Sequence, residues 1–343
     1  MISKMVDSLV SGLKPRHREI ISGRFGLENA KRQTLADLGE KYLITRERVR
    51  QIEAEALEAL KRKFEEENEG QKKVLESVKR HLENMGGVRR EDLFLREIKV
   101  IVNDPKLHYW HLRLISEIVG HPLYYVSDEH FHHFWYLNEK DVEILRRFVD
   151  NLERLIADKK EHLVNNNKFS VYLASAARRH RISDIAASNY ASVSKKFSVN
   201  PFGDFGLSEW EEVNPKTMRA KAYLILKKQN QPMHFKDISE AINRYNFDDR
   251  AALPQTVHNE LIKDPKIILV GRGIYALKEQ GYSAGIARDV IRKILKDKGP
   301  MNFKNLLAEV LKQRLLKQNT ILLNLQNKKH FKKLADGRYS FVK

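Results

Sequence analysis

The stretch from Thr34 to Ile52 constrains the fold of this chain most tightly, because two short helical patterns meet there around one small residue. Two helices that cross closely need a small residue where their backbones approach, and apolar residues that fill the angle between them. Gly39 supplies the small residue, and Thr34 and Thr45 are placed to cap the two helices by accepting a backbone N–H bond. The residues that fill the angle are Leu38, Tyr42, Ile44, Val49 and Ile52. This pattern predicts a helix-turn-helix.

One position in the predicted turn departs from the pattern. Leu43 stands where a left-handed backbone is often required, and Gly, Asn or Asp adopts that conformation more easily than Leu. Every other structural position of the motif is filled, so we retain the prediction of a turn at this point.

The start of the second predicted helix carries side chains that match the edges of DNA bases. If Val49 and Ile52 face inward, the side chains left on the outer face are Arg46, Glu47, Arg50 and Gln51. Arg can bond guanine through two hydrogen bonds, Gln can do the same for adenine, and Glu can accept from cytosine. We expect these four residues to contact bases, and Thr45 and Arg48 to contact phosphates. The alternative is a solvated helix face on which acidic and amide side chains pair with neighbouring arginines.

Charge and composition narrow the function further. The 63 Lys and Arg residues against 45 Asp and Glu leave a formal charge of +18, which attracts polyanions such as nucleic acids. The absence of cysteine excludes disulfides, thiol catalysis and cysteine-containing zinc sites. Neither a signal peptide nor a run of about 18 apolar residues is found, so we expect a cytoplasmic protein without membrane contact.

Polar, charged stretches divide the 343 residues into segments that we expect to fold as separate domains. The predicted fold is mainly α, with an N-terminal helix-turn-helix domain followed by tandem winged-helix domains, each of which has helices and a small β-hairpin. The boundaries are 1–68 for the helix-turn-helix domain, 72–138 for a diverged winged helix, 139–210 for a helical domain of unidentified fold, 216–280 for a winged helix and 284–343 for its second copy.

The last two segments repeat one another. Pro232–Phe235 (Pro-Met-His-Phe) recurs as Pro300–Phe303 (Pro-Met-Asn-Phe), and Gly273-Ile274-Tyr275 recurs as Gly337-Arg338-Tyr339. Each copy contains three helical stretches and then two β-prone runs around a glycine-containing turn, which is the order of a winged helix. Arg272 and Arg338 lie at the tips of the two hairpins, where they could hold a phosphate or enter a minor groove, although an exposed turn arginine is as often only solvated.

Other clusters carry weaker signals. The basic runs Arg178–Arg181 and Lys328–Lys333 are candidate phosphate contacts, with an ordinary charged surface as the alternative. The histidines His108, His111, His130, His132 and His133 are more simply explained by a packed aromatic hairpin than by a metal site. The sequence lacks a Walker-type loop, a dinucleotide glycine pattern, a zincin helix and a nucleophile elbow. We therefore expect no catalytic activity, no metal and no cofactor.

The N-terminal segment resembles a known family. Thr34–Leu60, and less sharply Lys14–Leu27, resemble region 4 of bacterial primary sigma factors, most closely along Thr45–Ala54 (Thr-Arg-Glu-Arg-Val-Arg-Gln-Ile-Glu-Ala). The resemblance, over residues 1–62, implies that Arg46, Glu47, Arg50 and Gln51 contact bases of the promoter −35 element and that the helical surface packs on the β-flap of RNA polymerase. In sigma factors this domain is C-terminal and follows a region that melts the −10 element, and nothing in this chain resembles that region.

Residues 216–278 resemble a HARE-type winged helix, the domain at the N-terminus of the RNA polymerase delta subunit. The resemblance depends on the Pro232–Phe235 entry and on the Gly271–Leu277 wing, and residues 286–343 look like a second copy. Together the two resemblances imply a sequence-specific transcription factor that binds −35-type promoter DNA and regulates or assists bacterial RNA polymerase. The alternatives are a polymerase-binding sigma mimic with delta-like modules, and an architectural or modified-DNA-binding protein.

Overall fold

The computed structural model describes residues 1–27, 31–66, 69–164, 168–283 and 285–342. Within this part of the chain, seventeen α-helices are accompanied by ten short strands in small sheets. The predicted mainly α fold with small hairpins is therefore confirmed. Among the described helices, none has both the length and the apolar character that crossing a membrane requires.

The chain divides into two compact units. The first unit comprises residues 1–198 and 205–208, and the second comprises residues 199–204 and 209–343. The helices up to residue 198 are α1 (Ile2–Ser11), α2 (Pro15–Phe25), α3 (Leu35–Tyr42), α4 (Arg46–Glu65), α5 (Glu69–Asn84), α6 (Glu91–Ile101), α7 (Tyr109–Val119), α8 (Glu139–Ile156), α9 (Lys160–Val164), α10 (Phe169–His180) and α11 (Asp184–Val193). The strands are β1 (Val88–Arg90), β2 (Leu123–Tyr125), β3 (Phe134–Tyr136), β4 (Phe197–Val199) and β5 (Phe205–Leu207).

One hydrophobic core runs through the N-terminal part of the first unit. It joins α1, α2 and α4 to α5, α6, α7 and β3, and its fully buried members include Ile2, Leu9, Leu60, Phe94 and Trp135. Burial of one such side chain contributes about 1.5–3 kcal/mol, so the N-terminal helices depend on α5–α7 for part of their stability. The core crosses the boundary placed near residue 68, and the domain boundaries stay predictions.

Helices α8, α10 and α11 form the segment whose fold the sequence did not identify. Phe148 of α8 is fully buried, and its ring centroid lies 5.6 Å from those of both His180 and Tyr190. On its other side α11 meets β1 and the turn before it, where the Asn189 amide donates hydrogen bonds to the carbonyl oxygens of Val88 in β1 and of Met85 in the turn. These three helices are therefore packed on each other and on the sheet that precedes them.

The second unit contains two modules of similar construction. The proximal module (residues 216–280) has α12 (Met218–Gln229), β6 (Met233–His234), α13 (Phe235–Tyr245), α14 (Pro254–Lys263), β7 (Ile267–Gly271), β8 (Ile274–Leu277) and a final 3-10 turn. The distal module (residues 285–342) has α15 (Ala287–Lys298), α16 (Phe303–Gln313), α17 (Gln318–Leu325), β9 (Phe331–Lys333) and β10 (Tyr339–Phe341). Each module thus has three helices followed by an antiparallel hairpin, a winged-helix-like order.

The strand pairing of the two modules shows the internal repeat. Met233 of β6 pairs with Tyr275, and at the matching positions Met301 forms an isolated antiparallel bridge with Tyr339. Each module also has a buried apolar core of its own. The repeat found in the sequence therefore corresponds to the same local arrangement built twice.

Candidate nucleic-acid interface

The first helix of the predicted motif, α3, begins at a reciprocal cap. The Thr34 hydroxyl accepts a hydrogen bond from the Asp37 backbone N–H at 3.1 Å, and the Asp37 carboxylate accepts one from the Thr34 N–H at 2.8 Å. These bonds lower the pKa of Asp37, so its carboxylate stays ionised at the positive end of the helix dipole. The cap determines where α3 starts.

The turn between α3 and α4 requires a close approach and one left-handed residue. A Cβ atom on Gly39 would lie 2.8 Å from the Ile44 carbonyl oxygen, so a larger residue there would force the two helices apart. The Ile44 N–H donates to the Gly39 carbonyl oxygen at 3.0 Å. Leu43 adopts φ 53° and ψ 44°, the left-handed conformation that the turn was expected to require. Its side chain is 93% exposed, so little packing compensates for the strained backbone.

A small separate core holds the two helices at their angle. Its fully or almost fully buried members are Ile20, Leu38, Val49 and Ile52. Leu35, Tyr42 and Ile44 pack around them, and the Arg16 guanidinium stacks 3.9 Å above the Tyr42 ring. The apolar residues predicted from the sequence are therefore packed as expected. Ile20 of α2, which was not in that prediction, packs against them from a third helix.

The structure exposes all four residues that were expected to contact bases. Arg46, Glu47, Arg50 and Gln51 lie on the solvent side of the first two turns of α4. Two of them are paired: the Arg50 Nη2 donates to Glu47 Oε1 at 2.7 Å and its Nε donates to Glu47 Oε2 at 2.9 Å. This pair lowers the pKa of the Glu47 carboxyl, so Glu47 is a hydrogen-bond acceptor only.

The two residues expected at phosphates occupy the same end of α4. The Thr45 hydroxyl caps α4 by accepting from the Arg48 backbone N–H at 3.1 Å. The Arg48 side chain is exposed, donates to Gln51 Oε1 at 3.0 Å and lies 3.8 Å from a Glu55 oxygen. The charge pairs of the alternative interpretation are therefore present in the free protein, on side chains that remain open to solvent.

A basic cleft beside α3 was not found by sequence reasoning. It has a volume of about 1060 Å³, and its charged lining consists of the basic Arg18, Lys31, Arg32 and Lys41 against the acidic Glu19 and Asp37. Lys31 and Arg32 lie just before the Thr34 cap. This basic pair ahead of a helix N-terminus was the feature of the sequence that could have indicated the cleft. The cleft extends the positively charged surface along the first helix of the motif.

The remaining two predicted contacts lie in the second unit. Arg272 is exposed at the turn between β7 and β8. Arg338, at the β9–β10 turn, is also exposed, but its Nη2 lies 2.6 Å from an Asp336 carboxylate oxygen. The structure therefore groups the residues between 45 and 51 on one surface and leaves these two arginines on separate hairpins of the other unit.

His133 of the aromatic hairpin and His111 of α7 each accept a hydrogen bond from a backbone N–H. His133 accepts from the Ser127 N–H at 3.0 Å through Nδ1, and its ring stacks against Tyr124 at 5.7 Å between centroids. His111 accepts from the His108 N–H at 2.9 Å. Burial lowers the pKa of His111, so its imidazole favours the neutral form.

Comparison with known proteins covers the N-terminal part of the first unit. Residues 9–62 match the family model described as Sigma-70, region 4. The chain is 38% identical over 61 residues to RNA polymerase sigma factor SigA1 of Synechococcus elongatus, an alignment covering 18% of this chain and 15% of that protein. It is 42% identical over 60 residues to RNA polymerase principal sigma factor HrdD of Streptomyces coelicolor, covering 18% of each chain.

The match thus spans less than a fifth of these relatives and less than a fifth of this chain. Within it lie α2, α3 and most of α4, including every residue of the small core around Ile20 and all four outward-facing residues of α4. The helix-turn-helix of this protein is therefore similar to region 4 of sigma-70 factors, which supports a sigma-like DNA-binding role for this part of the chain.

Proposed function

We propose that this protein binds −35-type promoter DNA through α4 and acts as a regulator or accessory factor of bacterial RNA polymerase. The observation that carries the proposal is the placement of Arg46, Glu47, Arg50 and Gln51 together on the exposed start of the second helix of a helix-turn-helix. The N-terminal residues of such a helix are those that contact base edges when the helix enters a major groove. The similarity of residues 9–62 to region 4 supports this docking.

Binding requires the outward-facing side chains to exchange partners. The Arg50–Glu47 pair and the Arg48–Gln51 hydrogen bond satisfy these groups in the free protein. On DNA, Arg46 or Arg50 can donate two hydrogen bonds to guanine, the Gln51 amide can pair with adenine, and the ionised Glu47 can accept from cytosine. Both partners of the Arg50–Glu47 pair are 60% exposed, so breaking the pair costs little free energy. The four outward-facing side chains of α4, here called the reading face, are therefore accessible in the free protein.

Phosphate contacts supply affinity in this proposal. Thr45 and Arg48 flank the reading face, and the basic cleft beside α3 continues the positive surface. We propose Arg272 and Arg338 of the two winged-helix-like modules as further phosphate contacts. In this proposal the modules are HARE-type domains like the N-terminal domain of the RNA polymerase delta subunit. Each neutralised phosphate releases counterions, so their contribution would appear in the salt dependence of binding.

A contact with the polymerase β-flap is proposed for the exposed side of α1 and α2. The apolar side of these helices is covered by α7, since Ile115 of α7 and Leu9 of α1 are buried in one core. Polar residues such as Lys4 and Asp7 remain exposed on α1. We expect a flap fragment to co-elute with the full chain, and failure of both flap and polymerase to bind at micromolar concentration would remove this part of the proposal.

Selection from a random duplex pool with the full chain tests the DNA-binding proposal. The full chain is used because the core of α1–α4 includes α5–α7. We expect enrichment of a motif resembling TTGACA, and Gln51→Ala should cost about 1–3 kcal/mol on that motif and relax the preference. Arg48→Ala should weaken all sequences similarly, and Lys61→Ala, exposed farther along α4, serves as the control.

The outcome separates this function from its rivals. Enrichment of no motif, together with retained polymerase binding, would favour a sigma mimic that acts through protein contacts. A preference for DNA shape or for a modified base, unaffected by Gln51→Ala, would favour an architectural or modified-DNA-binding protein that uses the second unit. Equal affinity of the wild type for the consensus and a scrambled duplex at one salt concentration would overturn the proposed function.

A further inference from the structure

The turn between α10 and α11 has the same backbone geometry as the turn between α3 and α4. Arg181 adopts φ 55° and ψ 40°, against φ 53° and ψ 44° at Leu43. The next residue, Ile182, donates its N–H to the Ala177 carbonyl oxygen at 3.1 Å, as Ile44 does to Gly39 at 3.0 Å. The turn therefore has the same left-handed residue and the same backbone hydrogen bond.

The helices on either side of this turn repeat the motif as well. Ser183 caps α11 by accepting from the Ala186 N–H at 3.1 Å, the bond that Thr45 makes to α4. Ala176 and Ala177 are buried where α3 buries Leu38 and Gly39. The small residue at the crossing is an alanine here, so this crossing accommodates one methyl group more than the first.

A third helix completes the arrangement. Phe148 of α8 packs edge-on against His180 at the end of α10 and against Tyr190 of α11. In the first motif, Ile20 of α2 fills the corresponding corner between α3 and α4. Three helices with this turn and this third wall form a helix-turn-helix domain core.

The outer surface of α10 and its turn is strongly basic. Arg178, Arg179 and Arg181 are all exposed, and no carboxylate of the described residues forms a salt bridge with any of them. Arg178 Nε donates only to the Ala174 carbonyl of its own helix, at 3.3 Å. Burial lowers the pKa of His180, and the neighbouring charges of Arg179 and of Arg147 in α8 lower it further. Three guanidinium groups without a carboxylate partner among the described residues thus lie in the last turn of α10 and in the turn that follows it.

The outer face of α11 is poorly suited to reading bases. Asp184, Ile185 and Ser188 are exposed, but Asn189 is only 2% exposed and is held by hydrogen bonds to the Met85 and Val88 carbonyl oxygens. Asn189 occupies the position that Gln51 has in α4. The side chain that would reach a base is therefore committed to the protein's own backbone.

We propose that α10 and α11 form a second helix-turn-helix, which holds the phosphate backbone of duplex DNA through Arg178, Arg179 and Arg181 and adds affinity without base selection. In helix-turn-helix complexes the first helix crosses the backbone, and α10 carries the arginines at that place. Duplex DNA is the proposed partner, because it is the nucleic acid whose backbone a helix-turn-helix crosses, and duplex RNA is an outcome of the test. The contact goes beyond the reading proposed for α4 and does not depend on it.

The test compares the salt dependence of DNA binding by full-length variants. The variant Arg178→Gln/Arg179→Gln/Arg181→Asn keeps helix-forming residues in α10, and Asn tolerates the left-handed turn. We expect weaker binding to all duplexes, with the slope of log affinity against log salt reduced by about 0.9 per lost contact, up to about 2.7. The base preference measured for the wild type should be unchanged.

The matched control is Lys72→Gln/Lys73→Gln/Arg80→Gln, which removes the same formal charge from exposed positions of α5. A salt slope equal to that of this control would overturn the proposal, as would a changed base preference or a loss seen only with duplex RNA. If circular dichroism shows that the triple variant is unfolded, Arg178→Gln/Arg179→Gln leaves the turn intact and tests the same slope. Gln51→Ala should alter the base preference but not the salt slope. This variant therefore distinguishes failure of the α4 proposal from failure of the α10–α11 proposal.

Discussion

The helix-turn-helix of α3 and α4 and that of α10 and α11 share a turn but differ in what surrounds the second helix. In α4 the side chains of Arg48 and Gln51 face solvent, whereas the corresponding Ala186 and Asn189 of α11 are buried. The covering element is β1 with the turn before it, which meets α11, whereas among the described elements α4 meets the helices α1, α2, α3 and α7. The start of α4 is therefore open to solvent at both positions, whereas the matching positions of α11 are covered.

The comparison teaches that the turn and the reading surface have separate requirements. The turn needs buried small residues, one left-handed residue, an apolar residue after it and a hydroxyl cap, and both segments meet these conditions with different residues. The reading surface needs an uncovered second helix, which depends on the rest of the fold. A helix-turn-helix backbone is therefore not by itself a base reader.

The largest effect is expected when the Phe148 ring, which packs on both α10 and α11, is removed. Phe148→Ala should lower the stability of the α8–α10–α11 core by about 3–5 kcal/mol, because a fully buried ring is replaced by a cavity. Amide hydrogen exchange should accelerate in α10 and α11 while α3 and α4 keep their protection. Ile20→Ala is the matched variant and should give the reverse pattern. Equal acceleration in both motifs would contradict the independence of the two cores.

The second prediction concerns the equivalent positions 51 and 189. Gln51→Ala should change base preference and leave thermal stability unchanged, because this side chain is exposed. Asn189→Ala should leave base preference unchanged and cost about 1–3 kcal/mol of stability, because it strands the Met85 and Val88 carbonyl oxygens. Binding selection and denaturant unfolding of both variants provide the measurement. A shift in base preference for Asn189→Ala would mean that α11 also reads DNA.

A smaller effect is expected at the two left-handed residues. Leu43→Asn and Arg181→Asn should each stabilise the protein by up to about 1 kcal/mol, since a left-handed backbone costs most side chains about 1–2 kcal/mol and costs Asn less. Leu43→Val should destabilise it, because a β-branched side chain fits this conformation least well. Thermal unfolding of the three variants gives the answer, and destabilisation by either Asn substitution would show that the native side chain contributes more than its exposure indicates.

The smallest predicted effect is a pH dependence confined to the second motif. The pKa of His180 is lowered by burial and by Arg179 and Arg147. The folded state therefore binds a proton less readily than the unfolded chain, so stability is lost as pH falls below the ordinary histidine pKa of about 6.5. His180→Gln should flatten this dependence in hydrogen exchange of α10, while exchange in α3 is unaffected. An unchanged pH profile in the variant would rule His180 out as its source.

Much of the first motif was predictable because its determinants are local. Thr34, Gly39 and Thr45 act on residues within five positions of themselves, through caps and one close backbone approach. The hairpins and the repeat of the second unit were predictable for the same reason, since short β-prone runs around a glycine turn specify a hairpin locally. The base-contact residues follow from the same periodicity, and their role on DNA stays a prediction.

The second motif was missed because its determinants are individually weak. Ala176 and Ala177 look like ordinary helical residues, and Arg181 gives no turn signal where Gly or Asn would have. Only the backbone shows that the turn is left-handed at Arg181 and that Ser183 caps the next helix. The basic run Arg178–Arg181 was evident in the sequence, but its position at the edge of a helix-turn-helix was not.

The sequence by itself determined the helix-turn-helix of α3 and α4, the order of elements in the repeated modules and the charge that favours DNA. Only the tertiary structure decided which helix faces are free: α7 covers the apolar side of α1, and β1 covers α11. The physical reason is the range of the interactions. Caps and turns join residues a few positions apart, whereas Asn189 is buried by hydrogen bonds to carbonyls about a hundred residues earlier, and no local pattern records such a partner.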